Sequence, residues 1–488
     1  MTEIQVAGVR VSTGHLINNQ RVHSSRTFED ISPIDESSLG FISAGGVQEA
    51  QMSVDAARSA FSAWAKLGPE GRGKHLRRLA EVIESHAEEL AIVETTDNGA
   101  LFEAHRLRLM KRAAYNIQFF ADYAETLHYE EWVTQPANAS NRVRYDPAGV
   151  TAIITPWNAP LMLATWRIGP ALAAGNTVVF KPPEWAPLTA SLLAEYVVEA
   201  GMPAGVFNVL QGLGAEAGAA LVANPGVDRI AFTGSPETAR KIGASASQNI
   251  TPVSFELGGK SPFLVFKDAD LDLAVKTALG QFDNSGQVCL AGTRLLVDKS
   301  IASEFLERLM DGIKTSIKVG DPRNSETTYG PLITRKHLER VQGFVDRAVQ
   351  DGATLLTGGS THPELGGLYY QPTLFTNVAL DAEIMQHEVF GPVLILHPFE
   401  DEAEAVRLAN DNPYGLAATV FTRDEARARR VSDSLVAGTV WVNCFFVRDL
   451  SAPFGGARMS GIGREGGQWS FDFYCDVKNI CQRIGTFR

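Results

Sequence analysis

One cysteine stands in a setting that suits a nucleophile better than a core residue. Cys289 lies in the stretch FDNSGQVCLAGTR, with a Gly-Gln pair shortly before it and an Ala-Gly pair shortly after it. A cysteine that only packs is usually surrounded by apolar side chains. A nucleophilic thiolate instead needs backbone N–H donors and room for a substrate. The stretch therefore predicts a nucleophile at position 289.

A carboxylate and an amide complete a set that acyl chemistry needs. Glu256 ends an apolar strand in SFELGGK and is followed by two glycines. Burial at that point raises a carboxyl pKa toward neutrality, as a general base requires. Asn158, in TPWNAP, also follows a strand and offers N–H groups to a developing oxyanion. Taken singly, a salt-bridged glutamate and a turn-forming asparagine are simpler interpretations.

A strand-to-helix junction predicts an anion site. The strand RIAFTG leads into Ser235, Pro236 and Glu237, which suit the N-cap, the first helical position and the first turn. Thr233 and Gly234 precede that helix start. Unpaired N–H groups at a helix N-terminus bind phosphates, so this junction fits a pyrophosphate, although an ordinary turn has the same pattern.

A second strand end predicts a ribose site. The strand NTVVFK ends in Lys181, two prolines and Glu184, and the prolines restrict the loop that carries both charges. A carboxylate beyond a strand end binds ribose hydroxyls and repels a 2′-phosphate, which favours NAD over NADP. The alternative is a solvated charge pair. No GxGxxG motif is present, so the cofactor prediction does not depend on one.

The elements around these residues alternate between strand and helix. TAIIT, NTVVFK, VFNVL and RIAFTG are short apolar runs separated by helical segments, which is typical of a parallel sheet. Ligands bind beyond the carboxyl ends of such strands. A second alternating series runs from SPFLVF to GTVWVN and predicts a second α/β domain.

Composition limits the class of protein and its partners. The chain has 488 residues, of which 45% are hydrophobic and 20% charged, and this is typical of a globular enzyme with two or three domains. A net charge of −12 argues against nucleic acid, and no apolar run is long enough for a membrane helix or signal peptide. Four cysteines without a CxxC pair argue against a disulfide framework or a zinc site, and no metal is expected. These features predict a cytoplasmic protein.

The chain resembles the NAD(P)-dependent aldehyde dehydrogenase superfamily. The resemblance covers nearly the whole chain and rests on motifs in the family's order, among them ITPWNAPL, GNTVVFKPPEWAPLTA, AFTGS, FELGGKSP, GQVCLAGTR, EVFGPV and PFGGARMSGIGREGG. It implies an α/β fold with a Rossmann-type cofactor domain (1–124 and 147–257), an α/β catalytic domain (258–458) and a small oligomerisation β-arm (125–146 and 459–488). Dimers or tetramers are therefore expected.

The resemblance also implies the roles of individual residues. Cys289 would be the nucleophile, Glu256 the base, Asn158 the oxyanion donor and Glu465 a proton-relay member. The residues implied to bind NAD are Ile154, Thr155, Pro156, Trp157, Lys181, Pro183, Glu184, Gly214, Gly218, Phe232, Thr233, Gly234, Ser235, Thr238, Leu257, Gly258, Glu388 and Phe390.

One departure from the family pattern affects chemistry. Where the family commonly has Trp-Lys before GPAL, this chain has Trp166-Arg167. An arginine does not release a proton in a protein. A relay that depends on that lysine is therefore not expected here.

The segments WVNCFFVRDLSAPFGG and GREGGQWSFDFYCDVKNIC are similar to dehydrogenases of the 2-hydroxymuconate semialdehyde group. Such substrates carry a carboxylate, which Arg112 and Arg448 would bind while Phe446 supplies an apolar wall. Surface salt bridges are the simpler interpretation of both arginines.

Other functions remain open at this point. Neutral aromatic or aliphatic aldehydes would fit the apolar wall without the arginines. A CoA-acylating dehydrogenase would not need Glu256, and a catalytically silent scaffold would not need Cys289, Glu256 and Asn158 together.

Overall fold

The structure is a computed structural model that describes residues 2–127 and 130–485. Residues 128 and 129 of the predicted arm segment 125–146, and residues 486–488 of the segment 459–488, lie outside the described residues. The strands are β1 (Glu3–Val6), β2 (Val9–Ser12), β3 (His15–Ile17), β4 (Gln20–Val22), β5 (Thr27–Ile31), β6 (Ser38–Ser43), β7 (Glu131–Thr134), β8 (Ala139–Pro147), β9 (Val150–Ile154), β10 (Thr177–Lys181), β11 (Phe207–Val209), β12 (Arg229–Gly234), β13 (Val253–Leu257), β14 (Pro262–Val265), β15 (Arg294–Asp298), β16 (Thr354–Thr357), β17 (Thr373–Thr376), β18 (Val393–Phe399), β19 (Ala417–Phe421), β20 (Thr439–Val442), β21 (Gly461–Ile462) and β22 (Cys475–Arg483).

The helices alternate with these strands through most of the chain. The α-helices are α1 (Val47–Lys66), α2 (Gly68–Ser85), α3 (Ala87–Asn98), α4 (Phe102–Ala104), α5 (Met110–Glu125), α6 (Pro160–Ala174), α7 (Leu188–Glu199), α8 (Ala219–Ala223), α9 (Pro236–Asn249), α10 (Leu271–Leu279), α11 (Ala302–Ser316), α12 (Arg335–Gln350), α13 (Glu383–Gln386), α14 (Glu402–Asn410), α15 (Glu425–Ser434) and α16 (Gly467–Tyr474). Short π-helical turns cover His105–Leu109 and Gly214–Gly218, and 3₁₀ turns cover Gly280–Gly286 and Arg458–Ser460.

The first sheet has eight strands in the order β21-β13-β12-β9-β10-β11-β3-β4. The five central strands, β13 to β11, pair in parallel, while β21, β3 and β4 pair antiparallel at the two edges. The register places Ile154 beside both Lys181 and Phe232, and Thr233 beside Glu256. All these residues therefore lie at the same edge of the sheet.

Alternating side chains bury the two faces of this sheet. Ile153 and Phe180 pack with helices α2, α5, α6 and α7 on one face. Ala152, Val179 and Ile230 pack with α1, α8 and α9 on the other face. Strands that are covered on both faces are typically continuous apolar runs, as the sequence of these strands is.

The second sheet has seven strands in the order β16-β17-β18-β15-β14-β19-β20, and only β16 pairs antiparallel. Its faces pack against α10 and α11, against α12, and against α14 and α15. The apolar residues of both sheets thus lie in cores between sheets and helices. Among the described residues, no helix has the length and apolar character needed to cross a bilayer.

The third sheet has three antiparallel strands in the order β22-β8-β7. It contains parts of both segments that the sequence assigns to an arm, because β22 pairs with β8 along its length. The C-terminal segment is divided, however. Gly461 and Ile462 pair with Glu256 and Phe255 in the first sheet, and α16 packs on α6. Of the described residues in the predicted segment 459–488, only 475–483 belong to the third sheet.

Helix α9 ends at a residue whose conformation is unfavourable. Ile250 follows the helix with φ 55° and ψ 32°, and its side chain is 87% exposed. The left-handed region disfavours a β-branched residue, and glycine is the usual residue there. We therefore expect Ile250→Gly to raise the free energy of unfolding by roughly 1 kcal/mol, measured by urea denaturation.

Val349 provides the matched control for this substitution. It is also β-branched and exposed, but it lies inside α12. Val349→Gly should lower the free energy of unfolding by about 0.5 kcal/mol, because glycine is a poor helix former. A loss of stability in both variants would contradict the assignment of strain to Ile250.

Candidate active site

The ends of four parallel strands define the site. β9, β10, β12 and β13 end at Ile154, Lys181, Gly234 and Leu257, and the register of pairing puts these ends at one edge. The loops that follow carry eight of the residues predicted from the sequence. The loop residues are Thr155, Pro156, Trp157, Asn158, Pro183, Glu184, Ser235 and Gly258.

The cysteine loop comes from the second sheet's side of the molecule. Cys289 follows the 3₁₀ turn Gly280–Gly286, in which Asn284 and Ser285 have positive φ. Gly286 has φ 70°, and a Cβ on it would lie 2.2 Å from the carbonyl oxygen of Gly391. Only glycine fits there, so the turn and residue 391 are held against each other.

Cys289 itself lies against the glycines that follow Glu256. A Cβ on Gly259 would lie 3.0 Å from the carbonyl oxygen of Cys289. The side chain of Gln287 anchors the loop, because its Oε1 accepts a hydrogen bond from the Ile333 N–H at 3.0 Å. Cys289 is a half-buried residue and is not in a disulfide. The loop that carries this free thiol is therefore fixed.

Asn158 is tied to the same loop. Its Nδ2 donates to the Gln287 carbonyl oxygen at 2.9 Å, two residues before the cysteine. In return, Asn284 Nδ2 donates to the Asn158 carbonyl oxygen at 3.1 Å. A side-chain amide has two N–H groups, and the bond to Gln287 occupies one of them. The other remains to donate to a further acceptor beside Cys289.

The charges around Cys289 act on its thiol in opposite directions. Burial, followed by the carboxylates of Glu388 and Glu256, raises the pKa of Cys289 to about 12, while Arg448 acts to lower it. These three charged side chains and the sulfur therefore share one electrostatic environment.

Glu256 is a carboxyl group without stabilising contacts. Its side chain is 5% exposed, and neither of its oxygens has a hydrogen-bond partner among the described residues. Burial and then the charge of Glu465 raise the pKa of Glu256 well above its ordinary value, against Arg167, Arg448 and Arg464. Such a carboxyl group binds a proton more readily than an ordinary glutamate, which is the property that a general base needs.

Glu465 is buried as well, and burial raises its pKa, but it has contacts that Glu256 lacks. Trp166 Nε1 donates a hydrogen bond to its Oε2, and Arg167 Nη1 lies 2.5 Å from its Oε1 in an ion pair. The charge of Arg167 and the hydrogen bond from Trp166 both oppose the effect of burial on this pKa. Glu465 follows strand β21, which pairs with β13 at Glu256. The charges of the two carboxyl groups interact, so the structure brings Glu465 close to Glu256.

A lysine–glutamate pair lies beyond β10. Lys181 Nζ donates to Glu184 Oε2 at 2.7 Å, and the lysine is 2% exposed. A Cβ on Gly214 would lie 3.6 Å from Glu184 Oε1, so the glycine gives the carboxylate access to the turn Gly214–Gly218. Lys181 and its charge lower the pKa of Glu184 against the effect of burial. The pair can hold two vicinal hydroxyls.

Helix α9 begins as the sequence predicts. Ser235 is the N-cap, and its Oγ accepts a hydrogen bond from the Thr238 N–H at 3.2 Å. Thr233 Oγ1 accepts from Arg167 Nε at 2.9 Å, which orients that hydroxyl toward the sheet. Phe232 packs edge-on against Phe255. The helix start is open to an anion.

Aromatic rings and Glu388 form the opposite wall. Trp157 lies edge-on to Phe390, with their ring centroids 5.4 Å apart. Phe390 has φ 57°, and His337 Nε2 bonds to its carbonyl oxygen at 2.8 Å. The Gly259 N–H donates to Glu388 Oε1 at 3.1 Å, and a Cβ on Gly258 would overlap this carboxylate. Burial raises the pKa of Glu388 to about 7.

The two predicted substrate arginines lie near each other. Arg448 stacks on the ring of Phe454 at 3.6 Å and has no ion pair with any described residue. Burial, and next the charge of Arg112, lower the pKa of Arg448 to about 10. Arg112 donates from Nε to Asn116 Oδ1 at 2.9 Å, which leaves its other N–H groups available. Phe446 is 39% exposed beside Phe445.

Several contributing residues carried no recognisable pattern in the sequence. His337 and Arg340 on α12 bind the carbonyl oxygens of Phe390, Val389 and Glu388, and thus fix the wall segment. Lys260 is 1% exposed, and its Nζ has no hydrogen-bond partner among the described residues. Lys260 lies in the same motif as Glu256, FELGGKSP, but the motif alone does not indicate that the lysine is buried or what it contacts.

The chain belongs to the aldehyde dehydrogenase family, whose model matches residues 21–480. It is 43% identical over 483 residues to a 2-hydroxymuconic semialdehyde dehydrogenase from Pseudomonas sp. (strain CF600), covering 96% of this chain and 99% of the relative. It is 40% identical over 477 residues to an aldehyde dehydrogenase from Emericella nidulans, covering 97% and 95%.

Solved structures agree with this assignment. A betaine aldehyde dehydrogenase from Staphylococcus aureus in complex with NAD⁺ matches with a TM-score of 0.95 at 38% identity, covering 98% of this chain and 96% of that one. HpcC from Thermus thermophilus matches with a TM-score of 0.93 at 43% identity, covering 98% and 96%. The predicted family and the predicted α/β fold are confirmed.

The charges around Cys289 lead to a prediction for the isolated protein. Glu388→Gln removes a charge that raises the pKa of Cys289, so more thiolate forms at a given pH. Alkylation of Cys289 by iodoacetamide should become about threefold to tenfold faster, which corresponds to a pKa shift of roughly 0.5 to 1. Arg448→Gln should slow it, since Arg448 lowers this pKa.

The measurement is the rate of labelling of the Cys289 peptide by mass spectrometry, which separates it from the peptides of Cys444 and Cys481. Glu184→Gln is the control, because Glu184 is not among the charges that act on the thiol. Equal rates in all three variants would contradict the electrostatic description of the site.

Proposed function

We propose that the protein oxidises an aldehyde to a carboxylic acid with NAD, through a thiohemiacetal and a thioester on Cys289. Its main support is the arrangement of three groups at one sheet edge. Asn158 binds the cysteine loop at Gln287, and Gly259, three residues after Glu256, packs on the Cys289 carbonyl oxygen. A nucleophile, an amide donor and a carboxyl base thus meet beside a dinucleotide-type strand edge.

In the first half of the proposed reaction, the Cys289 thiolate attacks the carbonyl carbon and a C–S bond forms. Burial disfavours the thiolate, and Arg448 is the positive group that acts in its favour. The free N–H of Asn158 and the backbone N–H of Cys289 hold the oxyanion. NAD, when bound, supplies the acceptor for the hydride that leaves this carbon.

In the second half, Glu256 takes a proton from a water molecule, which then attacks the thioester carbon. The C–S bond breaks, the Cys289 thiolate leaves, and the carboxylic acid is released. The unpaired, desolvated carboxyl group of Glu256 supports this role. In a CoA-acylating enzyme the acyl group passes to a thiol and not to water, so the carboxyl group of Glu256 would not be needed as a base.

The residues beyond β10 and β12 fit NAD. The Glu184 carboxylate, held by Lys181, suits the two hydroxyls of the adenosine ribose and repels a 2′-phosphate. The N-terminus of α9 suits the pyrophosphate. Glu388 suits the nicotinamide ribose, with Phe390 beside the ring. NAD-bound relatives support the same cofactor.

The test of the function is NADH formation, followed at 340 nm with NAD and a panel of aldehydes. Cys289→Ala should remove all NADH formation. Glu256→Gln should keep an initial burst of about one NADH per site and then lower the steady rate by about 100-fold or more, because only hydrolysis needs the base. NADH from no aldehyde, with a folded protein, would favour the silent scaffold.

We further propose that the substrate is a semialdehyde with a carboxylate at its far end, of the kind produced by aromatic ring cleavage. Arg112 and Arg448 lie close together without ion pairs to described residues, so their charges are available to an anion. The 2-hydroxymuconic semialdehyde dehydrogenases among the relatives support this class. Neutral aromatic aldehydes are the alternative, and Phe445 and Phe446 would accommodate them.

Arg112→Gln should raise the KM for a carboxylated semialdehyde about 10- to 100-fold, because a charge-assisted hydrogen bond is lost. The KM for benzaldehyde should change little. Arg108→Gln is the control, since Arg108 is exposed and pairs with Asp283. Equal effects of Arg112→Gln on both substrates would exclude the carboxylate clamp.

We also propose that the third sheet joins subunits into a dimer or tetramer. Its strands expose Trp132, Val133 and Val477, and an apolar, unpaired sheet edge is usually covered by another chain. The cytoplasmic location stays a prediction from the sequence.

A further inference from the structure

A buried ion pair connects the cofactor strand with the proposed base. Arg167 is fully buried on α6, and its side chain contacts Phe232 and Thr233 near the carboxyl end of β12. Its Nη1 lies 2.5 Å from Glu465 Oε1, its Nε donates to Thr233 Oγ1 at 2.9 Å, and its Nη2 donates to the Phe232 carbonyl oxygen at 3.1 Å. Its Nη1 also lies 3.4 Å from Ser254 Oγ, so contacts to four residues hold the guanidinium group in place.

The strands place this pair beside Glu256. Glu256 is paired with Thr233 on one side and with Gly461 on the other. A Cβ on Gly455 would lie 2.7 Å from Glu256 Oε1, and Gly455 follows Phe454, whose backbone bonds in both directions to that of Glu465. Two carboxyl groups and one permanent cation are therefore enclosed in a single buried cluster.

The two carboxyl groups of this cluster differ in their contacts. Trp166 donates a hydrogen bond to Glu465 and Arg167 forms an ion pair with it, whereas Glu256 receives neither contact from the described residues. Burial raises the pKa of both carboxyl groups, and it raises that of Glu256 well above its ordinary value. Hydrogen bonds and opposite charge favour an ionised carboxylate, and burial without them favours the neutral acid. The cluster thus assigns the negative charge to Glu465 and the exchangeable proton to Glu256.

We propose that Arg167 is a positioning residue for the hydrolytic step: it fixes Glu465 as an anion, so that Glu256 alone exchanges a proton with water. The proposal rests on the proposed role of Glu256 as the base. Because arginine keeps its proton, Arg167 cannot pass one onward. The proton that Glu256 takes from water must then leave on the side of Cys289 and the substrate.

The other charges around Glu256 are compatible with this assignment. Arg448 and Arg464 act on Glu256 in the same direction as Arg167, and Glu465 acts against them. Burial also raises the pKa of Tyr474, which faces Arg167 and Glu465, so this phenol stays neutral. The charge of Glu256 also raises the pKa of Cys289, so the thiolate and this carboxylate repel each other. Removing the charge of Arg167 should raise the pKa of Glu256, and removing the charge of Glu465 should lower it.

The test uses the cofactor-free protein and 4-nitrophenyl acetate, which acylates a nucleophilic cysteine and releases nitrophenolate. A burst of nitrophenolate measures acylation, and the steady rate that follows measures hydrolysis of the acyl-enzyme. The acid limb of the steady rate between about pH 5 and 8 reports deprotonation of the base.

Glu465→Gln removes the negative neighbour, so the acid limb should move to lower pH by about one unit or more. Arg167→Gln removes the positive neighbour, so the limb should move to higher pH. Arg167→Lys restores a positive charge and should bring the limb back toward that of the unchanged protein. Ser254→Ala is the control, because Ser254 Oγ contacts Arg167 at 3.4 Å without a charge and should leave the limb in place.

A limb that stays fixed in both glutamine variants, or that moves in the same direction in both, would overturn the proposal. If Arg167→Gln does not fold, the proposal is judged on Glu465→Gln alone, and an acid limb that does not move to lower pH in that variant overturns it. Loss of rate without a shift would mean that Arg167 only maintains the structure. Absence of NADH with every aldehyde, while these opposite shifts persist, would instead reject the proposed function and leave this inference standing.

Discussion

Parallel pairing of the central strands of the first sheet is the constraint on which the rest of the site depends. Because β9, β10, β12 and β13 run in the same direction, their carboxyl ends lie together, although the residues that follow are up to about 100 positions apart along the chain. The register sets which side chains are neighbours. Thr233 lies opposite Glu256, and a shift by one residue would turn one of them to the other face.

Burial of ionisable groups is the second determinant of the site. Burial raises the pKa of Glu388 to about 7, whereas burial, followed by the charge of Arg294, lowers the pKa of Lys260 to about 7. Charges of Glu388 and Lys260 each favour the ionised form of the other, so their ionisation is linked. A buried charge is costly unless it is paired, and this explains why Arg167 and Arg294 each bond to several acceptors and why Lys181 pairs with Glu184.

Local patterns in the sequence were sufficient for the sheet and for part of the site. Apolar β-branched runs gave β12 with its observed ends and β9 and β10 within one residue, and the Ser-Pro-Glu run gave the start of α9. Cys289, Glu256 and Asn158 were singled out because the cysteine stands among glycines and the other two lie at strand ends, and their roles stay predictions. Residue type and chain position were enough for those inferences.

Contacts between distant segments could not be inferred in this way. Nothing near Arg167 indicates that it meets Glu465, which lies 298 positions later. His337 and Arg340 belong to an ordinary amphipathic helix, and only the packed structure brings them to the Glu388 segment. The short strand β21 has two residues, too few for a periodic pattern, so the C-terminal segment was assigned wholly to an arm. These three features depend on packing between segments that are far apart in the chain, and the periodicity of a short segment carries no information about such packing.

The close approach of Gly286 to Gly391 has a consequence for how such a protein can change. The turn before Cys289 and the segment that carries Glu388 and Phe390 touch backbone to backbone, with no side chain between them to absorb a displacement. Nucleophile and ring wall must therefore shift as one unit, and replacements in either segment are constrained by the other.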